Sequence, residues 1–362
     1  MAARAEPAIA RSLGAGRAWR VLYHSVDQSH RDIAVSGLVL VPAGHTPSGG
    51  WPVVAWAHGT TGLADQCAPS LAPRLGNDPT AVREVRALLQ DGLAVVASDY
   101  PGLGSPGVHP YLIGAPDASA VIDSVTAAHA LTGVRLSPAW VAVGHSEGGQ
   151  TALFVAQAPI ARLSRWHYLG TVAIAPASHL DLLIPLAEGE HDPVEQAYML
   201  YALEGLSTVE PNVHVTQLLT PQARPVASDF TSGCIDDITN DLRRRHLAHL
   251  LQARPAAITA LSAQLGAFDD PGRQPTHGAV LIVQGTTDQD VPEVATDTLV
   301  TTMCDLGDHV DYRLYPGRDH GAVVSASFPL VRDWIAARLN GRAPPGTRAT
   351  SPRSEGCPRS SR

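Results

Sequence analysis

Not one of the 362 residues is lysine, so all 26 basic side chains are arginine. This absence removes every mechanism that needs a lysine amine: a Schiff base, a P-loop and a Ser-Lys dyad. A bias of composition, not chemistry, accounts for it. The chain also lacks an uninterrupted apolar run of about eighteen residues, so no membrane-spanning helix is expected. Residues 1–20 hold no continuous apolar segment of the kind a secretion signal uses, which as it stands predicts a protein that stays in the cell. The four cysteines, Cys67, Cys234, Cys304 and Cys357, contain no CxxC pair, so zinc-ribbon and thioredoxin-like chemistry is not expected, although an even count permits disulfides. A net charge of -8 argues against nucleic acid as a partner. No internal repeat is evident.

What is present is a 44% apolar, 17% charged composition of globular type, long enough to bury a sizeable core. Short β-branched runs recur at Val53 to Ala57, Leu93 to Ser98, Trp140 to Val143, Thr171 to Ile174 and Ala279 to Val283. Helical spacing fills the gaps at Ala81 to Leu89, Ala118 to Leu131, Thr151 to Gln157 and Glu293 to Met303. Asp78-Pro79 and Asp117 read as helix starts. Alternating strands and helices predict an α/β fold with a mostly parallel sheet. Arg20 to Ser25 and Ile33 to Val41 predict an antiparallel opening pair, the second with period-two alternation. Val310 to Tyr315 predicts a last strand and Phe328 to Leu339 a closing helix. The expected organisation is a flexible segment 1–18, a core formed by 19–177 and 277–341, and a helical cap over 178–276. The cap includes the apolar stretch Leu182 to Leu186 and helices at Glu195 to Leu203 and Ile238 to Leu251. A disordered basic tail over 342–362 closes the chain. Arg243, Arg244 and Arg245 read as a solvated helical face, with contact to an anionic lipid interface as the alternative.

The strongest motif is Gly144-His145-Ser146-Glu147-Gly148, a G-x-S-x-G turn between an apolar strand and a helical pattern. Such a turn exposes a serine oxygen at the head of a helix. A hydroxyl is a poor nucleophile until a base takes its proton, so the turn calls for an acid and a histidine later in the chain, in that order. Asp288 follows the strand Ala279 to Val283, and His320 follows Val310 to Tyr315. Asp290 is the rival acid, disfavoured because it abuts Val291-Pro292 at a helix start. An oxyanion would be met by the backbone N-H of Glu147 and by the loop His58-Gly59-Thr60-Thr61-Gly62, where Thr60 is the chosen second donor and its hydroxyl a further one. His58 is read as a support for that loop. Gly102-Leu103-Gly104-Ser105-Pro106-Gly107 matches a dinucleotide fingerprint, but Pro106 and Pro110 prevent a helix from starting there, so no cofactor is expected. His246 and His249 lack a third ligand, and no metal is expected.

These residues resemble the secretory lipase family of α/β-hydrolases that includes lipase A-type enzymes. Besides the elbow, the resemblance rests on Asp99-Tyr100-Pro101-Gly102-Leu103-Gly104, His109-Pro110-Tyr111, Cys67-Ala68-Pro69-Ser70 and Cys234, across about Trp19 to Leu339. It implies esterase or triacylglycerol lipase activity with Ser146, Asp288 and His320 as the catalytic residues. It also implies a helical cap over an acyl pocket, export from the cell and a Cys67–Cys234 pair. Glu147 departs from the family, where Gly or Gln is commoner; its carboxylate would weaken an oxyanion site unless it turns away and presents only its N-H. The expected partner is a small-molecule or lipid ester, with a transient lipid-interface contact through the cap. A serine peptidase or acyltransferase would use the same triad, and a non-catalytic binding protein could keep the same fold.

Overall fold

The computed structural model describes residues 1–180, 192–342, 353–354 and 357. Within these, the strands are β1 (Ala2–Ala5), β2 (Arg17–Val26), β3 (Asp32–Val41), β4 (Trp51–Ala57), β5 (Ala94–Ser98), β6 (Leu136–His145), β7 (His167–Ile174), β8 (Ala279–Gly285), β9 (Val310–Tyr315) and β10 (Arg353–Ser354). They form one sheet in the order β1-β2-β3-β5-β4-β6-β7-β8-β9-β10. The pairings from β5 through β9 are parallel, and those at the two ends are antiparallel.

The apolar runs become strands because helices cover both faces of the sheet, leaving no polar side to alternate with. One face carries α1 (Pro7–Leu13), α2 (Pro79–Gln90) and the closing helix His320–Leu339; the other carries α3 (Gly114–His129) and α4 (Glu147–Gln157). The two faces also explain a departure at the opening pair. Alternation falls on β2, where Val21, Tyr23 and Ser25 are buried and Leu22 and His24 exposed. In β3, Leu38 and Leu40 enter one core while Val35, Val39 and Val41 enter the other, so the strand is buried on both sides.

Three further expectations are corrected. Residues 1–18 are not a flexible segment: β1 pairs with β2, and α1 buries Ile9 and Leu13 against the core. Asp78 does cap α2, accepting from the N-H groups of Thr80 and Ala81. Asp117, however, starts nothing: α3 begins at Gly114, Pro116 costs no hydrogen bond in a first turn, and Asp117 faces inward, fully buried. Of the expected tail, the described residues include β10 and Cys357, which is disulfide-bonded to Cys304.

Between β7 and β8 the described residues form α5 (Pro193–Ser207), α6 (Ile235–Arg245) and α7 (Pro255–Asp269), with short turns between them. Their apolar faces pack with Tyr111, Leu112 and Ile113 into a separate core above the sheet. Helix α6 stops six residues sooner than expected, at a left-handed His246. Arg244 and Arg245 pair with Asp241 on its exposed face, and Arg243 bonds Asn240. A Cys67–Cys234 disulfide ties the loop after β4 to the head of α6. The stretch Leu182 to Leu186 lies outside the described residues.

Candidate active site

Strand β6 delivers Ser146 to the head of α4 through a turn in which Ser146 itself holds φ 59° and ψ -123°. A non-glycine residue rarely occupies such a conformation, and here it is over-determined by its surroundings. Ser146 N-H donates to Ile174 C=O at 2.9 Å, and Gln150 N-H closes the first helical turn onto Ser146 C=O at 3.0 Å. The flanking glycines are obligatory. A Cβ on Gly144 would lie 1.9 Å from the Gly148 carbonyl oxygen, and one on Gly148 would lie 2.1 Å from that of Ala57. The turn can therefore pass between strand and helix only with both side chains missing.

Asp288 and His320 lie side by side. His320 Nδ1 donates to Asp288 Oδ2 at 2.9 Å, with both side chains buried. Asp288 is fixed from two further sides: Val291 N-H donates to Oδ1 at 2.8 Å and Gln284 Nε2 donates to Oδ2 at 3.0 Å. Gln284, missed in the sequence, is itself held by Thr296 and the Val291 carbonyl and is fully buried. Asp290 does not bond His320; it lies in the cavity wall with Ser146. Burial pulls the His320 pKa down, but the hydrogen bond and charge of Asp288 outweigh it, leaving the imidazole above its ordinary value. His145, beside Ser146, sits against this histidine, its Nε2 donating to the His320 carbonyl at 3.0 Å and the ring centroids 4.5 Å apart. Burial, then His320, drives the pKa of His145 well down, so it stays neutral.

The loop after β4 lies against Ser146: a Cβ on Gly59 would stand 3.7 Å from Ser146 Cβ. His58 steadies it between the carbonyls of Gly59 and Asp99 and stacks on Tyr100 at 4.2 Å. The Thr60 hydroxyl is shared with the Tyr111 hydroxyl at 2.7 Å. Tyr111, from the HPY stretch, is thus a neighbour of the site that the sequence did not assign.

The Glu147 side chain turns away from the elbow into the protein. His109 Nε2 donates to its Oε1 at 2.8 Å, while His109 Nδ1 donates to the Pro101 carbonyl at 3.0 Å. Burial disfavours a charge on His109, yet the bond to and charge of Glu147 raise its pKa above the ordinary value. Asp117 completes this buried group, and burial lifts its carboxyl well above the usual range.

A cavity opens beside Ser146 under α5, walled by Tyr111, Leu112, Tyr198, Met199 and Ala202, with Glu195 and Asp290 as its acidic members. The wall is mainly apolar, as suits an acyl group.

The sheet order, the strained serine turn and the loop positions of the acid and histidine define an α/β-hydrolase fold. Among solved structures, the chain is similar to the rice cell wall degrading esterase LipA from Xanthomonas oryzae, with a TM-score of 0.75, 20% identity, and coverage of 95% of this chain and 98% of that one. It is likewise similar to Candida antarctica lipase A, with a TM-score of 0.76, 16% identity and coverage of 96% and 83%. In its closed state that lipase gives a TM-score of 0.76 at 17% identity, with coverage of 98% and 85%. No protein-family model matches the sequence. No curated protein matches it either. The likeness to lipase A-type enzymes drawn from the motifs therefore extends to the whole fold.

Proposed function

We propose that this chain is a serine carboxylic ester hydrolase. The observation that carries the reading is the buried His320–Asp288 hydrogen bond, packed against His145, the residue that precedes a serine held at positive φ at the strand–helix elbow. In this reading His320 Nε2 takes the Ser146 proton as Oγ attacks the ester carbonyl, and Asp288 stabilises the imidazolium that results. The tetrahedral oxyanion forms beside the helix head, where the Glu147 N-H and the Thr60 N-H donate to it. His320 then protonates the leaving alcohol, and water attacks the acyl-enzyme by the same route in reverse. The apolar cavity wall under α5 supports an acyl group there, and both named structural neighbours are an esterase and a lipase.

The test is a panel of nitrophenyl esters graded from butyrate to palmitate, run on the wild type and on Ser146→Ala. Hydrolysis is expected to fall by about 10⁴-fold or more in the variant. Wild-type rates in Ser146→Ala would discard the mechanism, and peptide amides run alongside would expose a peptidase.

A further inference from the structure

Glu147 was the awkward residue of the elbow, and the place its side chain goes is a site of its own. His109, Asp117 and Glu147 come from three separate segments: the loop after β5, the first turn of α3 and the first residue of α4. One donor atom of each lies within 4.8 Å of the others, and all three side chains are buried, His109 and Asp117 completely. Both Asp117 carboxylate oxygens are without a hydrogen-bond partner. An orphaned, fully buried carboxylate costs several kcal/mol of desolvation with nothing returned, and a second carboxylate beside it adds repulsion.

We propose that His109, Asp117 and Glu147 form a binding site for a divalent transition-metal ion, with zinc as the favoured occupant. The donor set is one imidazole nitrogen and two carboxylates, which suits zinc and leaves a fourth position for water. Ionised together, the two carboxylates carry a formal charge of -2, which a divalent ion cancels. The orientation of the imidazole is set in the manner typical of metal-bound histidines. Its Nδ1-H is committed to the Pro101 carbonyl, which fixes the tautomer and aims Nε2 into the group. The ion takes the place of the proton on Nε2. Donors around one tetrahedral zinc stand about 3.3 Å apart, so the 2.8 Å contact between His109 and Glu147 need open only by about half an ångström. The orphaned Asp117 oxygens then have their partner. The site is structural, since it lies behind the elbow: it ties α3 to the head of α4 and holds the Glu147 carboxylate away from Ser146.

Metal content tests this without reference to catalysis. The full chain is purified from zinc-supplemented cells, passed through gel filtration in EDTA, and assayed by inductively coupled plasma mass spectrometry. About one zinc per wild-type chain is expected, with less than about a tenth in Asp117→Asn and His109→Gln. Prolonged chelation is expected to lower the wild-type Tm and leave that of Asp117→Asn unmoved. A wild type without zinc overturns the proposal. So does equal retention by wild type and variants, which marks adventitious binding by surface histidines. Should neither variant fold, an anomalous map at the zinc edge from wild-type crystals decides: a peak between His109 Nε2 and the two carboxylates supports the site, and its absence overturns it.

Discussion

In the proposed mechanism His320 has to be neutral to accept a proton, so the direction of its pKa shift sets the low-pH boundary of activity. Asp288 raises that pKa above the ordinary value of 6.5, and activity is therefore lost as pH falls through a point above 6.5. In Asp288→Asn the two largest raising influences vanish while burial, Asp290 and Asp319 remain, so the imidazole should titrate lower than in the wild type. An NMR titration of His320 checks this directly, and an unmoved titration would contradict the assigned partnership. The kcat of the same variant should drop by about 10⁴-fold. Gln284 acts one step back, through Asp288. Its amide steadies the carboxylate oxygen that His320 uses, so Gln284→Leu should lower kcat by about 10- to 100-fold with KM little changed. A fall in stability with kcat intact would reduce Gln284 to a packing residue.

The elbow makes a sharper demand on its glycines than on its serine. Gly148→Ala places a methyl group 2.1 Å from a main-chain oxygen that belongs to a central strand and cannot retreat. Gly49→Ala meets nothing within 4 Å. The first should cost about 3 kcal/mol in urea unfolding and the second almost nothing; equal costs would mean that β4 and α4 are less tightly apposed than described. This turn was legible in the sequence because strand, turn and helix are consecutive, and Asp288 and His320 followed from chain order and from their loops after apolar strands. Gln284, Tyr111 and His109 were not legible. Tyr111 and His109 reach the site by packing between segments far apart in the chain; Gln284 stands only four residues before Asp288, but nothing local distinguishes it from any glutamine in a strand. Asp117 misled for the same reason: an acidic residue before an apolar helical run looks like a cap, and only the packing of α3 on α4 turns it inward. The short strand β1 carries no apolar pattern because all four of its residues are exposed, and pairing to β2 alone defines it.

Two disulfides bind the molecule together, one beyond the central strand β4 and one near the β9–β10 edge of the sheet. Cys67–Cys234 spans 167 residues and joins the loop beside Ser146 to α6, while Cys304–Cys357 spans 53 and fastens the C-terminal segment to the helix before β9. The described chain has no free cysteine, so protein matured under oxidising conditions should show no titratable thiol when native, and four after denaturation with reductant. Loop-closure entropy makes the two bridges comparable, about 5 kcal/mol for the longer and about 4 for the shorter. Their effects on function should nevertheless differ. The longer bridge anchors α6 where a Cβ on Gly62 would stand 2.7 Å from Cys67 Sγ, in the same loop as Thr60, so releasing it loosens the proposed oxyanion loop and the helices over the cavity together. The Cys67→Ser, Cys234→Ser double variant should lose both Tm and kcat/KM. Cys304→Ser, Cys357→Ser should lose Tm with kcat/KM nearly intact, since its bridge lies at the far edge strand, away from Ser146. Matched losses of kcat/KM in the two double variants would show that the cap keeps its place without its covalent tie.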